Sequence, residues 1–410
     1  MKRVLSLTLS LALIALMMLA PTAYATESVT LENGVIVGAN VAVADESYND
    51  MSADELYELA KAESGPIVIY SETSKISKAA DNFMAAYPEL TVEHYTLTPS
   101  EIQEKVETEH ETGNIAADVL IVNDAAGTIY NEWYPDAYVE AYYPTDIINH
   151  IPGEKLHNAL PLYEALNIWF YNTAQYPDGA PITNWWDIVE TDENGVQLFK
   201  IFCKNISGDT SYMSMYANMA AYSDELAAAY KDKYGTDLEY TYDPNPVPVE
   251  ADNAAFEFLY RLAQLEVGFI PDGDEIVQAV AESTVPTLGI ATANKLDQRD
   301  ENNWPLAWVT QMAPFASTSN PKNIYMIPQT ENPAGARLLI YFLMGGENGD
   351  SGALDVFARL GTWFMRDDYV DTDNEIPLSE ISIVELNTEE VYDTYLDVND
   401  FWIYWTDKFF

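Results

Sequence analysis

The sequence predicts an α/β protein of two lobes, and three observations predict it. Residues 66–122 alternate apolar runs with helical periodicity, and residues 168–290 do so again. About 385 residues follow a leader-like start, more than one hydrophobic core usually serves.

The start of the chain reads as an address. Lys2 and Arg3 are basic, Val4 to Leu19 is apolar apart from Ser and Thr, and Pro21 precedes Ala23-Tyr24-Ala25. Small residues at that spacing suit a signal peptidase, so residues 1–25 are expected to be a signal peptide cleaved near Ala25. The apolar core is shorter than the ~20 residues that span a bilayer, and no cysteine follows it to carry a lipid anchor. The mature chain therefore reads as exported and soluble, periplasmic or otherwise extracytoplasmic. Residues 26–64 form an irregular leader and one short helix, Asp54 to Ala62, with Ser52 and Glu55 placed as a capping box.

Regular patterning then begins. Pro66 to Tyr70 is an apolar run of the kind a strand buried on both faces needs. Ile76, Ala79, Ala80, Phe83, Met84 and Tyr87 lie on one helical face, which Pro88 ends. Leu90 to Leu97 alternates as a second strand, Pro99 and Ser100 open a helix over Glu101 to Glu111, and Ala117 to Val122 is a third strand. Three strands joined by two helices imply a parallel sheet with right-handed crossovers. Ligands bind beyond the carboxyl ends of such strands, here Ser71 to Ser74 and Asn123-Asp124.

In the second unit, Ile168 to Tyr171 is extended, Trp185 to Val189 is a helical turn and Val196 to Phe202 is a strand. Helices follow over Ser211 to Tyr222, Asp224 to Tyr234 and Asn253 to Leu265. The three prolines at 244, 246 and 248 mark a connecting loop. Pro286 to Ile290, Pro305 to Val309 and Ile324 to Ile327 read as strands, and Asn332 to Met344 as a helix. The division expected is a first lobe of residues 65–160 plus about 304–345 and a second lobe of residues 161–303. Residues 346–410 form a C-terminal helical and irregular segment.

Composition narrows the function. The chain carries 66 Asp and Glu against 19 Lys and Arg, a formal charge of −47. Such a surface repels phosphate backbones and anionic headgroups, so nucleic acid and membrane surfaces are not expected partners. A single Cys rules out an internal disulfide and a thiolate metal cluster. No H-E-x-x-H, G-x-S-x-G or Walker pattern is present, so an enzyme is not expected. The remaining enzyme alternative, an exported hydrolase with paired carboxylates, draws no support from an acid pair in so acidic a chain.

The order of segments resembles the solute-binding proteins of ABC importers. The resemblance is to the two-lobed, type 2 periplasmic-binding-protein fold and its subgroup of ferric-ion, phosphonate and sugar-phosphate binders. Residues 56–61 before Ile67-Val68-Ile69-Tyr70-Ser71 are similar to the family's lead-in helix and first strand. Ala116-Ala117-Asp118-Val119-Leu120 resembles its third strand, and Trp169-Phe170-Tyr171-Asn172-Thr173 its crossover strand. Pro181-Ile182-Thr183-Asn184-Trp185-Trp186-Asp187 resembles its Pro-x-Thr-x-Trp-x-Asp helix start, and Ala334 to Gly346 its late helix. The resemblance implies a ligand cleft between the lobes and a monomer that closes on its solute. It also implies a permease with its ATPase as partner, and no cofactor.

The candidate ligand-binding residues are Ser71, Thr73, Ser74, Asn123, Asp124, Thr210, Ser211, Tyr212, Thr292 and Asn294. Hydroxyls and free N–H groups at the helix starts near Thr73-Ser74 and Thr210-Ser211 can cradle an oxyanion, or the hydroxyls can simply cap the helices. Asn123-Asp124 can orient a polar ligand or cap the next helix. Ferric-binding relatives use an adjacent Tyr-Tyr pair with a His and a Glu. The matching segments here, Gly289 to Asn294 and Glu72 to Lys75, hold no tyrosine and no histidine, so no metal site is expected. The four histidines, His94, His110, His150 and His157, show no ligand spacing. Dense aromatics from Tyr163 to Trp186, with Tyr212 and Tyr216, read either as core and hinge packing or as a stacking wall for a sugar or cation. The expected solute is a small oxyanion, phosphonate or phosphate-ester-like. The alternatives are a polyamine or other cation, a sugar, and last a ferric ion.

Overall fold

A computed structural model describes residues 28–156, 158–349 and 354–409. The expected signal peptide and His157 lie outside them. Among the described residues no helix is long and apolar enough to cross a membrane.

Two mixed sheets organise the chain, each with its own core. The first runs in the order Trp363–Phe364, Leu160–Glu164, Lys322–Met326, Val119–Val122, Ile67–Ser71, Val92–Thr96. Its last three strands are parallel, as the strand–helix alternation requires, and the others are antiparallel to their neighbours. Val119–Val122 is buried throughout, which is why it reads as a continuous apolar run. Helix Ile76–Ala86 buries Ile76, Ala79, Ala80 and Phe83, the face its spacing marks out. The capping box forms as expected: Ser52 Oγ accepts from the Glu55 amide, and Glu55 accepts from the Ser52 amide.

The second sheet runs Leu306–Trp308, Asn167–Asn172, Thr287–Thr292, Lys200–Cys203, Val267–Phe269. Its last three strands are parallel, and the first two pair antiparallel. Helices Thr210–Ala221, Ser223–Tyr234, Ala254–Ala263 and Gly273–Ala281 accompany it. Leu306–Trp308 pairs with Asn167–Asn172 and so extends this sheet beyond the range 161–303 read from the sequence. Leu160–Glu164 likewise belongs wholly to the first sheet. The chain therefore passes between the sheets at residues 164–167 and again between Trp308 and Lys322.

The C-terminal segment touches both sheets. Trp363–Phe364 edges the first, and Ile383–Val384 pairs in parallel with Ser317–Thr318 on the second crossing. Helix Thr388–Phe409 then packs on the second core through Val391, Val398, Phe401, Trp402 and Trp405. Gly361 makes one close approach possible. At φ +76° its Cα lies so near the end of the second sheet's central strand that a Cβ would sit 2.3 Å from the Asn294 nitrogen.

Candidate functional site

The parallel strands of both sheets aim their carboxyl ends at one cleft, a cavity of about 250 Å³ floored by the crossing segments. The first lobe contributes Glu72, Thr73, Lys75 and Asn123, and the second Ser211, Ser214, Thr292 and Asn294. The floor is Tyr163, Asn167, Thr318, Asn320 and Lys322, and the C-terminal segment adds Phe357, Arg359 and Thr362.

Five expected residues thus line the cleft: Thr73, Asn123, Ser211, Thr292 and Asn294. The other five do not. Ser71 is fully buried beneath it, its hydroxyl closing a turn with the backbone of Thr73. Ser74 faces outward, exposed, and Thr210 opens its helix without reaching the cavity. Asp124 accepts from the amides of Ile129 and Tyr130, both at 2.9 Å, and burial pushes its carboxyl up to about 6. Tyr212 is buried and donates its hydroxyl to the Ile290 carbonyl. The start of helix Thr210–Ala221 is already capped by Asp209, which accepts from the amides of Ser211 and Tyr212 and pairs with Lys204 at 2.7 Å. A carboxylate of the chain therefore occupies the position an oxyanion was expected to take. The aromatic stretch is mostly core: Trp169, Trp185 and Trp186 are buried among one another and Phe258, and only Tyr163 reaches the cleft.

Charge in the cleft runs against that of the chain. Lys75, Lys322 and Arg359 line it against one carboxylate, Glu72. Lys322 Nζ lies 2.8 Å from Glu72 Oε1, which also accepts the Asn123 amide at 2.8 Å. Burial pulls the Lys322 pKa down, but Glu72, Tyr163 and Glu164 more than offset this and hold it above the ordinary value. Arg359 pairs with Asp297 of the second lobe. Sequence reasoning missed the floor and this flank, because both are assembled from segments far apart in the chain.

Below the floor sits Glu164, wholly buried. It accepts from the Ser319 hydroxyl at 2.5 Å and the Asn320 amide at 3.2 Å, joining one crossing segment to the other. Burial pushes its carboxyl up to about 7 from the usual 4.5; those hydrogen bonds pull the other way, Glu385 adds to the rise and Lys155 opposes it. Between those two values the folded chain holds a proton that the unfolded chain releases. This stabilisation is full below 4.5 and is lost as pH climbs through 7. Glu164→Gln is therefore expected to melt like wild type at about pH 5 and to be more stable by roughly 1–2 kcal/mol at about pH 8. Urea titrations at both values check this, and a variant equally stable or weaker at the higher pH would contradict the buried-acid account.

A second cavity of about 810 Å³ flanks the second crossing. Tyr130, Tyr134, Tyr222 and Tyr325 line it together with Asp124, Glu225, Glu385 and Glu389. Its single lysine, Lys155, is paired with Glu385. Outside both cavities, His150 comes within 4.8 Å of Asp367 and Asp368, with Asp368 already held by Arg366 at 2.7 Å.

The sequence profile described as bacterial extracellular solute-binding protein matches residues 78–358. No curated protein sequence matches. Among solved structures, the chain is similar to the apo ferric ion-binding protein A of Pasteurella haemolytica at TM-score 0.60 and 15% identity, over 84% of this chain and 98% of that one. It is similar to iron-bound HitA of Pseudomonas aeruginosa at TM-score 0.58 and 10% identity, over 82% and 99%. It is also similar to the periplasmic binding protein AfuA of Actinobacillus pleuropneumoniae with fructose-6-phosphate bound, at TM-score 0.53 and 16% identity, over 84% and 97%. Identities this low speak for the fold, a two-lobed periplasmic-binding-protein fold.

Proposed function

The chain belongs to the bacterial extracellular solute-binding proteins, the capture component of ABC importers, and we propose that its solute is a small oxyanion. The family is a non-enzymatic transport component, so the cleft has only to bind, close and release to the permease. The observation that carries the ligand reading is the cation content of the cleft. Three of the chain's 19 basic residues line a cavity of about 250 Å³ in a protein with 66 acids. Bulk negative charge is screened beyond ~8 Å at physiological salt, so the local cations set what the cleft attracts. The size suits a solute of phosphonate or phosphate-ester dimensions.

A second reading, an organic cation such as a polyamine, has one observation in its favour. The larger cavity is walled by four tyrosines and five carboxylates, Glu154 being the fifth, a combination that favours a cation over an anion. A ferric role has less support, although two of the three similar structures described above are named for iron. Tyr163 is the one tyrosine on the cleft, and burial pushes its phenol above the ordinary value, away from the phenolate a ferric ion needs.

Thermal shift and calorimetry of the mature protein decide among these, with glycerol 3-phosphate, spermidine and ferric citrate as probes. The expected result is stabilisation by the phosphate ester, ~2.7 kcal/mol at a hundredfold excess over Kd, no shift with spermidine, and no saturable charge-transfer band with ferric citrate. Saturable binding of spermidine with none of the anion would move the reading to the cation.

A further inference from the structure

Resting on the oxyanion reading of the cleft, we infer that the solute carries hydrogen-bond donors of its own beside its negative charge. Asn123, Asn167 and Thr318 are the residues that read those donors. A hydroxylated or amino-bearing anion fits; an anion that only accepts does not.

The protein leaves several polar atoms of the cleft without a partner. Buried side-chain oxygens and nitrogens are almost always hydrogen-bonded, because an unpaired one forfeits its hydration for nothing. Among the described residues, Asn123 Oδ1, Asn167 Oδ1 and Thr318 Oγ1 are buried without a partner, and all three residues line the same cleft. Asn167 is held at its other end and through its backbone. Its Nδ2 donates to Ser211 Oγ at 2.6 Å, and its backbone carbonyl accepts the Ser317 hydroxyl at 2.7 Å. Asn123 is held through its backbone N–H, which donates to Glu72 Oε1 at 2.8 Å.

Two amide oxygens are acceptors and nothing else. A fully ionised oxyanion set against these two oxygens meets lone pairs with lone pairs, whatever it gains from Lys75, Lys322, Arg359 and the hydroxyls elsewhere in the cleft. A solute whose anionic end meets those cations and whose hydroxyl or ammonium group donates to the asparagines satisfies both sets of groups. Sites built to hydrogen-bond a substrate hydroxyl reject the analogue that lacks it far more strongly than apolar pockets reject a missing methylene, because the site's own polar groups are then left unpaired.

Two isosteric pairs of probes test this by calorimetry at about pH 8, above the second phosphate dissociation near 6. They are glycerol 3-phosphate against 2-methylbutyl phosphate, and 3-aminopropylphosphonate against butylphosphonate, each with methyl in place of hydroxyl or amine. The donor-bearing member of at least one pair is expected to bind at least ~10-fold more tightly. Thr318→Val should reduce that ratio by ~3- to 10-fold. Its melting temperature should stay unchanged or rise, since the hydroxyl has no protein partner to lose. Equal binding within both pairs, or a ratio untouched by Thr318→Val, overturns the inference and leaves the oxyanion reading standing. If none of the four anions binds at millimolar concentration, the oxyanion reading itself falls and this inference falls with it.

Discussion

Trp402→Ala is expected to lower the stability of the second lobe by about 3–5 kcal/mol, the usual cost of removing a buried aromatic side chain. Trp402 is 1% exposed on helix Thr388–Phe409, its indole packs edge-on against Phe269 at 6.1 Å, and its Nε1 donates to Asn205 at 3.2 Å. Neighbours on the same stripe repeat the arrangement: Phe401 meets Phe256 at 5.0 Å, and Trp405 meets Tyr260 at 4.6 Å. The helix is thus part of the second core, although it lies past the end of the family match at residue 358. Hydrogen exchange in rising urea separates the lobes. Amides of Thr287–Thr292 should lose protection earlier in the variant, while those of Val119–Val122 keep theirs. A loss below ~1 kcal/mol would mean that the helix is an appendage rather than a wall of the core.

That helix also marks where the sequence was hard to read. Val391, Tyr395, Val398, Trp402 and Trp405 recur at helical spacing, but Tyr392, Leu396, Phe401, Ile403 and Tyr404 lie between them and blur the stripe. The parallel strands were legible because strands covered on both faces leave short, uninterrupted apolar runs. Leu160–Glu164, Val267–Phe269 and helix Gly273–Ala281 were not. The first carries Pro161, the second is three residues long, and the helix starts on Gly273. For the cleft, position in the fold served better than residue chemistry. Residues at or just past strand ends, such as Thr292 and Asn123, do face the cavity, while hydroxyls chosen for their chemistry, such as Ser71 and Ser74, turn into the protein or out to solvent. The crossing residues could not be found from local pattern at all. Asn167 and Ser317 are 150 residues apart and meet only because the two crossings run side by side.

Lys322 is the extreme case, and its removal carries the other large expected effect. The pairing of Lys322–Met326 with Leu160–Glu164 shifts register between Lys322 and Asn323, an irregularity of the sort that re-aims a side chain. The result is an ammonium in the cleft, 2.8 Å from Glu72, whose side chain is only 6% exposed. Lys322→Met strands that carboxylate without its counter-charge, which should cost ~3–5 kcal/mol of stability. It also removes one of three cations facing the solute, so anion affinity should fall ~10- to 100-fold, the value of one charge-assisted hydrogen bond. The single variant confounds the two effects, and the double variant Lys322→Met/Glu72→Gln separates them. With both charges gone, most of the lost stability should return, while affinity for glycerol 3-phosphate stays low. Urea titration and calorimetry on the same preparations give both numbers. A double variant that folds well and binds glycerol 3-phosphate like wild type would show that Lys322 serves Glu72 alone, and that the solute's charge is met by Lys75 and Arg359.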